Sequence, residues 1–260
     1  MNLLKKYISV TYKNKHRIIK FFGIKIKTKF DCYDLSGANN KIILVSEDGH
    51  EKILKPNEKI PGLDIRIDGD NNLVIIHEPI IFSNSILWLE HDNCEFKIGK
   101  SKYEISALFH LSAPNTKIII GDNLSTGSGT QINGFSTSNT SVTIGNDCMF
   151  SFGVIIRPDD GHVITDNKTN KIINYGKNIT IGNHVWLGEQ CLILKGSNIP
   201  DNSIVGAKSL VNKNFSKNDG WGGIILAGQS AKIIKRNINW SRLPQWYFEK
   251  QNENERISND

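Results

Sequence analysis

The sequence predicts an all-β protein wound as a parallel β-helix of triangular coils. Two observations carry that prediction. Branched aliphatic residues recur every six positions in the C-terminal half, and small residues recur at fixed offsets from them. A period of six matches neither the 3.6 of an α-helix nor the simple alternation of a strand. It matches a short strand plus a corner, and three such units close one coil.

From Ile181, steps of six reach Leu187, Ile193, Ile199, Val205 and Val211. The next position reads Gly182, Gly188, Leu194, Pro200, Gly206 and Asn212, and the fifth reads Val185, Cys191, Ser197, Ser203, Ser209 and Phe215. The aliphatics are expected to point inward and stack on their equivalents. Glycine and small residues suit tight corners, where bulk or a fixed negative φ is unfavourable. On this geometry Cys148 and Cys191 pack rather than react. A looser block keeps the period through Ile120, Thr126, Ile132, Ser138, Ile144, Phe150, Ile156 and His162.

The register then breaks. The step from His162 to Ile181 is not a multiple of six, and it exceeds one unit by two further units and a residue. Either a full coil holds one extra residue or a loop is extruded; the polar, turn-rich segment DNKTNKIINYGKN (166–178) favours the loop, and long loops in compact domains tend to carry function. Residues 62–119 read as irregular early coils, so the helical domain is placed at 62–216 with a loop near 163–178. Residues 1–61 read as a basic arm and a small β-rich region with a turn at Asp48-Gly49. Residues 217–260 read as an extension made of a strand, a turn, a short basic segment and a polar tail.

The net charge of +6 is unevenly spread. Residues 1–30 hold nine Lys/Arg and no acid, so the remainder carries −3 (6 − 9). Such an arm suits an anionic membrane surface or acidic polymer; it is equally a solvated basic face. No stretch approaches the roughly 20 apolar residues of a membrane span, and MNLLKKYISV is too short and lysine-interrupted for a secretory signal. The four cysteines are scattered without a CxxC pair, which suits a reducing cytoplasm. Walker and dinucleotide-binding motifs are absent, and no nucleic-acid partner is expected.

His162 stands where the register breaks, beside Gly161, Asp159 and Asp160. An imidazole near neutral pKa can take a proton from a hydroxyl, and an acidic neighbour can orient it. The residues alone equally allow a polar loop histidine. His184, in GNHVWLG, is read as a solvent-facing residue.

ITIGNHVWLGEQCLILKGSNIPDNSIVGAKSLV resembles the signature of the hexapeptide-repeat acyltransferases. ILAGQSAKIIKRNINW resembles their closing A-G-x-P-A-K segment, with Ser230 where proline is usual, a change expected to loosen that turn. RPDDGHVITD resembles the segment that carries the catalytic histidine in O-acetyltransferases of this superfamily, most like the bacterial sialic acid and capsule enzymes. The resemblance covers about residues 118–240. It implies a left-handed β-helix, acetyl-CoA as donor, no metal, and His162 as general base. It implies that Trp186 walls a pocket, and that Gly188, Gly206, Ala207, Lys208 and Ser209 hold the pantetheine arm. Lys232, Lys235 and Arg236 are candidates for the CoA phosphates.

The resemblance further implies a homotrimer with sites between subunits and a surface glycan as acceptor, while the cysteine pattern suits the cytoplasm and the basic arm would suit attachment to the inner membrane or to an acidic glycan. The expected reaction is O-acetylation of a sialic acid hydroxyl. The alternatives are an N- or O-acetyltransferase for another sugar, a non-catalytic glycan-binding β-helix, and a zinc enzyme on the same coil. The last would need three arranged histidines, and no HxxxxH spacing is present.

Overall fold

The structure, a computed structural model, describes residues 8–13, 16–21, 24–29, 33–55, 58–215 and 222–257, with side chains placed for 36–55, 58–215 and 222–251. Cys32 and the side chains of the basic arm lie outside the described residues.

From Tyr33 the chain winds as a parallel β-helix with three faces. The first face includes the rungs Ser125–Thr126, Met149–Phe150, Trp186–Leu187, Ile204–Val205 and Gly223–Ala227. The second runs in eight strands from Tyr33–Leu35 to Leu210–Val211, and the third in seven from Lys41–Val45 to Asn198–Ile199, with Glu51–Ile53 antiparallel at its edge. The six aliphatics from Ile181 to Val211 all point inward, none more than 1% exposed. Each buried Ile or Leu contributes about 1.5–3 kcal/mol from apolar burial. Cys148 and Cys191 are packed in the corners, and burial pushes their thiols up to about 12 and about 11, so they stay protonated at neutral pH.

Several expectations need correction. The coil begins near residue 33 rather than 62, because Tyr33–Leu35 and Lys41–Val45 already pair in parallel with Leu63–Ile67 and Leu73–His77. Ahead of it, Ile8–Lys13, His16–Phe21 and Ile24–Lys29 form an antiparallel meander. The coil also continues past 216. Gly223–Ala227 pairs in parallel with Ile204–Val205 and buries Ile224 and Leu226 completely. Lys232–Ile238 then adds an antiparallel strand, and the tail forms a helix, Gln245–Ile257.

Many corners use residues other than glycine for their left-handed positions. Asn71, Asn93, Asn115 and Asn139 serve one corner, and Asn123, Asp147, His184 and Asn202 another, all at φ between 52° and 60°. Gly121 and Gly182 are needed for coil stacking instead. A Cβ on Gly121 would lie 2.4 Å from Asn146 Oδ1, and one on Gly182 would lie 2.2 Å from Asp201 Oδ1. Those oxygens accept the Asp122 and Asn183 amides at 2.8 and 2.7 Å, a ladder that a methyl group would displace.

Candidate active site

The corner between the second and third faces departs twice from the six-residue unit. Residues 133–140 bulge between the rungs Thr130–Ile132 and Ser141–Ile144. One coil later the chain leaves the helix after Ile155–Arg157 and returns at Ile179–Ile181. Ser138 and His162, which the six-residue count places in the inward column, therefore lie outside the core, because the corner has looped out at both places.

The second excursion is a hairpin. Thr165 bridges Ile172, and the Asp166 and Ile173 amides donate to Lys171 and Ile164 carbonyls at 2.8 and 2.9 Å. It is tied to the bulge below it. The Gly176 amide donates to Thr137 Oγ1 at 2.8 Å, and Lys177 N to Pro158 O at 2.9 Å. Bulge and hairpin border an open cavity of about 460 Å³, lined by His162 and Tyr175 from the hairpin and by Ser136 to Asn139 from the bulge.

Asp159 and Asp160 hold this corner rather than the imidazole. Asp159, 4% exposed, accepts from Ser136 Oγ, Thr137 Oγ1 and the Gly161 amide, the last at 2.7 Å. Burial pushes its carboxyl up, but these hydrogen bonds outweigh burial and hold it below its ordinary value. Asp160 pairs with Lys195 and accepts from Asn174 Nδ2 at 3.1 Å, and its carboxyl is also held low, chiefly by Lys195. Asn174 Nδ2 also donates to the His162 carbonyl at 2.7 Å. Among the described residues no side chain hydrogen-bonds the His162 ring. The expectation that a neighbouring acid orients it is thus replaced by an exposed imidazole whose backbone is fixed and whose ring is free to meet a ligand.

The residues expected to hold the donor lie elsewhere on the coil. Trp186 is half-buried on the first face, its Nε1 3.4 Å from Ser151 Oγ. Gly206, Ala207, Lys208 and Ser209 form the corner between the first and second faces. The closing segment docks on that corner: Gly228 N donates to Ser209 Oγ at 3.1 Å, and Gln229 Nε2 to Lys208 O at 3.0 Å. Ser230 does not loosen this turn, because its hydroxyl bonds Asn212 Oδ1 and the next amide, Ala231 N, donates to Leu210 O at 2.7 Å. Ala207 and Lys208 are exposed at this corner and Lys232 opposite Ala227 beside it, whereas Lys235 and Arg236, also exposed, pair with Ile225 and Ile224 back along the first face. Gly188 has a packing reason, since a Cβ there would lie 2.6 Å from Ala207 N.

His184 is not the solvent-facing residue expected from sequence. Its side chain is 25% exposed, with Nδ1 2.7 Å from Asp147 Oδ2 and Nε2 3.0 Å from Trp240 O. It stacks on Trp240 at 4.1 Å, and Arg242 clamps the same Asp147 at 3.0 Å. His184 thus fastens the C-terminal segment to the coil. Trp240 and Arg242 stand beyond the repeats, so periodicity carried no signal for them. Ser136 and Thr137 had a weak one, the polar Ser138 in an aliphatic column.

No protein-family model matches the chain. A polysialic acid O-acetyltransferase of Escherichia coli O1:K1 / APEC is 36% identical over 132 residues, 51% of this chain and 40% of the relative. One of Neisseria meningitidis is 49% identical over 55 residues, 21% of this chain and 26% of the relative. A galactoside O-acetyltransferase of Escherichia coli K12 is 35% identical over 107 residues, 41% and 49% respectively. The chain thus spans less than half the length of each of these three curated relatives. The crystal structure of NeuO, a polySia-specific acetyltransferase, superposes with a TM-score of 0.65 at 30% identity, covering 82% of this chain and 83% of that one.

Proposed function

This chain belongs to the hexapeptide-repeat acetyltransferases, with their left-handed β-helix, and on that premise we propose that it moves an acetyl group from acetyl-CoA to a sialic acid hydroxyl on a bacterial surface glycan. The observation that carries this reading is the cavity at the looped-out corner, which presents His162 with no competing partner among the described residues. In the reaction the acceptor hydroxyl loses its proton to His162 as its oxygen attacks the thioester carbonyl. The tetrahedral intermediate collapses with release of the CoA sulfur, which receives the proton from the imidazolium.

The enzyme is proposed to act as a homotrimer. His162 stands at one corner, whereas the donor candidates Gly206–Ser209 stand at the next, a coil edge of roughly 15–20 Å at about 3.3 Å per residue. A general base must come within about 3 Å of the proton it removes. A neighbouring copy that carried its own donor corner to this face would bring its thioester beside His162, which supports a shared site. The hairpin's exposed Val163, Ile164, Ile173 and Tyr175, between 52% and 66% accessible, suit burial against such a copy. The basic arm is proposed to bring the enzyme to an acidic glycan or the inner face of the membrane.

The test compares initial rates with acetyl-CoA on a sialylated oligosaccharide and its desialylated counterpart. Preference for the sialylated acceptor supports the assignment. Equal rates or a neutral preference favour a neutral-sugar acetyltransferase, the reading to which the galactoside relative points. Light scattering that gave a fully active monomer would remove the shared-site proposal.

A further inference from the structure

Arg157 ends the last second-face rung before the loop, close in sequence to His162, and none of the roles above uses it. Its guanidinium lies between two glycines. A Cβ on Gly134 would come within 2.7 Å of Nε and 3.3 Å of Cζ, and a Cβ on Gly161 within 3.4 Å of Nη2. Both glycines have positive φ, 79° and 91°. They leave a flat seat for the guanidinium directly beside the backbone that carries His162.

The cation has no partner among the described residues. Nε is buried without a hydrogen bond, and Arg157 forms no ion pair among the described residues. Two acids are close in sequence, but both are engaged. Asp159 is satisfied by Ser136, Thr137 and Gly161, and Asp160 by Lys195 and Asn174. A partly buried guanidinium left unpaired is costly. Persisting beside the candidate base, it is suited to an anion that arrives with the ligand. A planar two-donor fork matches a carboxylate.

We propose that Arg157 is the acceptor-recognition residue: its guanidinium, seated on Gly134 and Gly161, pairs with the carboxylate of an acidic sugar whose hydroxyl is presented to His162. This rests on the acidic-acceptor reading above and assigns the group that enforces it. A neutral sugar would leave the cation unpaired again, so discrimination follows from the same feature.

The experiment measures kcat and KM for a sialylated oligosaccharide and for the same compound with its carboxylate converted to a neutral amide, using the wild type, Arg157→Gln and Arg157→Lys. The wild type should prefer the carboxylate by on the order of 10-fold or more, mainly through KM. R157Q should bring that ratio close to one while the KM for acetyl-CoA stays unchanged. R157K, which keeps the charge and stem but loses the fork, should fall between them and guards against a folding defect in R157Q. A merely structural role would lower both acceptors' rates together and leave the ratio intact, which would overturn the proposal. A rise in the acetyl-CoA KM instead would place the guanidinium on a donor phosphate and also overturn it. A wild type with no carboxylate preference would bring down the acidic-acceptor reading itself, an outcome distinct from a preference that survives in R157Q.

Discussion

Two stretches of one coil treat the same six-residue unit in opposite ways. Between Ile179 and Val211 each rung returns after three strict units: Ile181 pairs with Ile199, Leu187 with Val205, Ile193 with Val211. Between Ile132 and Ile181 the second-to-third corner swells, first by a bulge and then by a hairpin, while the rungs on either side stay in register. Stability and chemistry are thus separated on this scaffold. Inward aliphatics and corner ladders make the coil; the excursions need only leave the rung positions unchanged. The coil tolerates these insertions because the strand pairings on either side of the swollen corner and the ladder at the next corner are kept.

That separation can be broken at each end. The largest effect on stability is expected in the tight stretch. Ile193→Ala leaves a cavity in a fully buried column and should cost about 2–5 kcal/mol, read as a lower denaturant midpoint. Val163→Ser in the hairpin, 66% exposed, should shift the midpoint of the isolated subunit by less than about 0.5 kcal/mol. If both changed stability equally, the hairpin would be part of the core.

The largest effect on turnover is expected at the corner. His162→Ala should fold, bind CoA and lose on the order of 10²-fold or more in kcat. His184→Ala should do the reverse, sparing most of the turnover while losing two hydrogen bonds and a stacking contact, about 1–3 kcal/mol, from the attachment of residues 239–243. Hydrogen exchange on that segment would report it. The opposite ranking of the two histidines in kcat would move the base to the other corner.

A smaller effect concerns acid. Asp159 has a depressed carboxyl pKa in the folded state, so its contribution is complete well above the ordinary value of 3.8 and is lost as pH falls through 3.8 and below. The protection of the 163–178 amides relative to their intrinsic exchange at each pH should therefore fall at low pH, and Asp159→Asn should show less protection at neutral pH with a flatter acid response. An unchanged profile in that variant would show that other contacts hold the loop. The smallest effect is expected from removing residues 1–30, which should spare activity on a small soluble acceptor and weaken only salt-sensitive attachment to anionic vesicles, measured by co-sedimentation.

The sequence by itself determined the coil where the unit is strict. Ile181 to Val211 could be placed inward from their spacing alone, because a rung every six residues leaves one geometry that buries them all. It also located the excursion at His162, since a broken register is visible as a count. The early coils were less legible. Ile65, Leu87 and Phe109 stack in register but recur at intervals longer than three strict units, so longer corners hide the period. Only the tertiary structure decided what the side chains at the site do. Asp159 and Asp160 turned from candidate partners of the imidazole into anchors of the loop, His184 became a clasp for Trp240, and Arg157 was left with a cation to pair. The physical reason is that periodicity encodes which residues face the core, whereas a hydrogen bond between Asp159 and Thr137, or a guanidinium seated on Gly134, joins residues about one coil apart in sequence that meet only when one coil settles on the next.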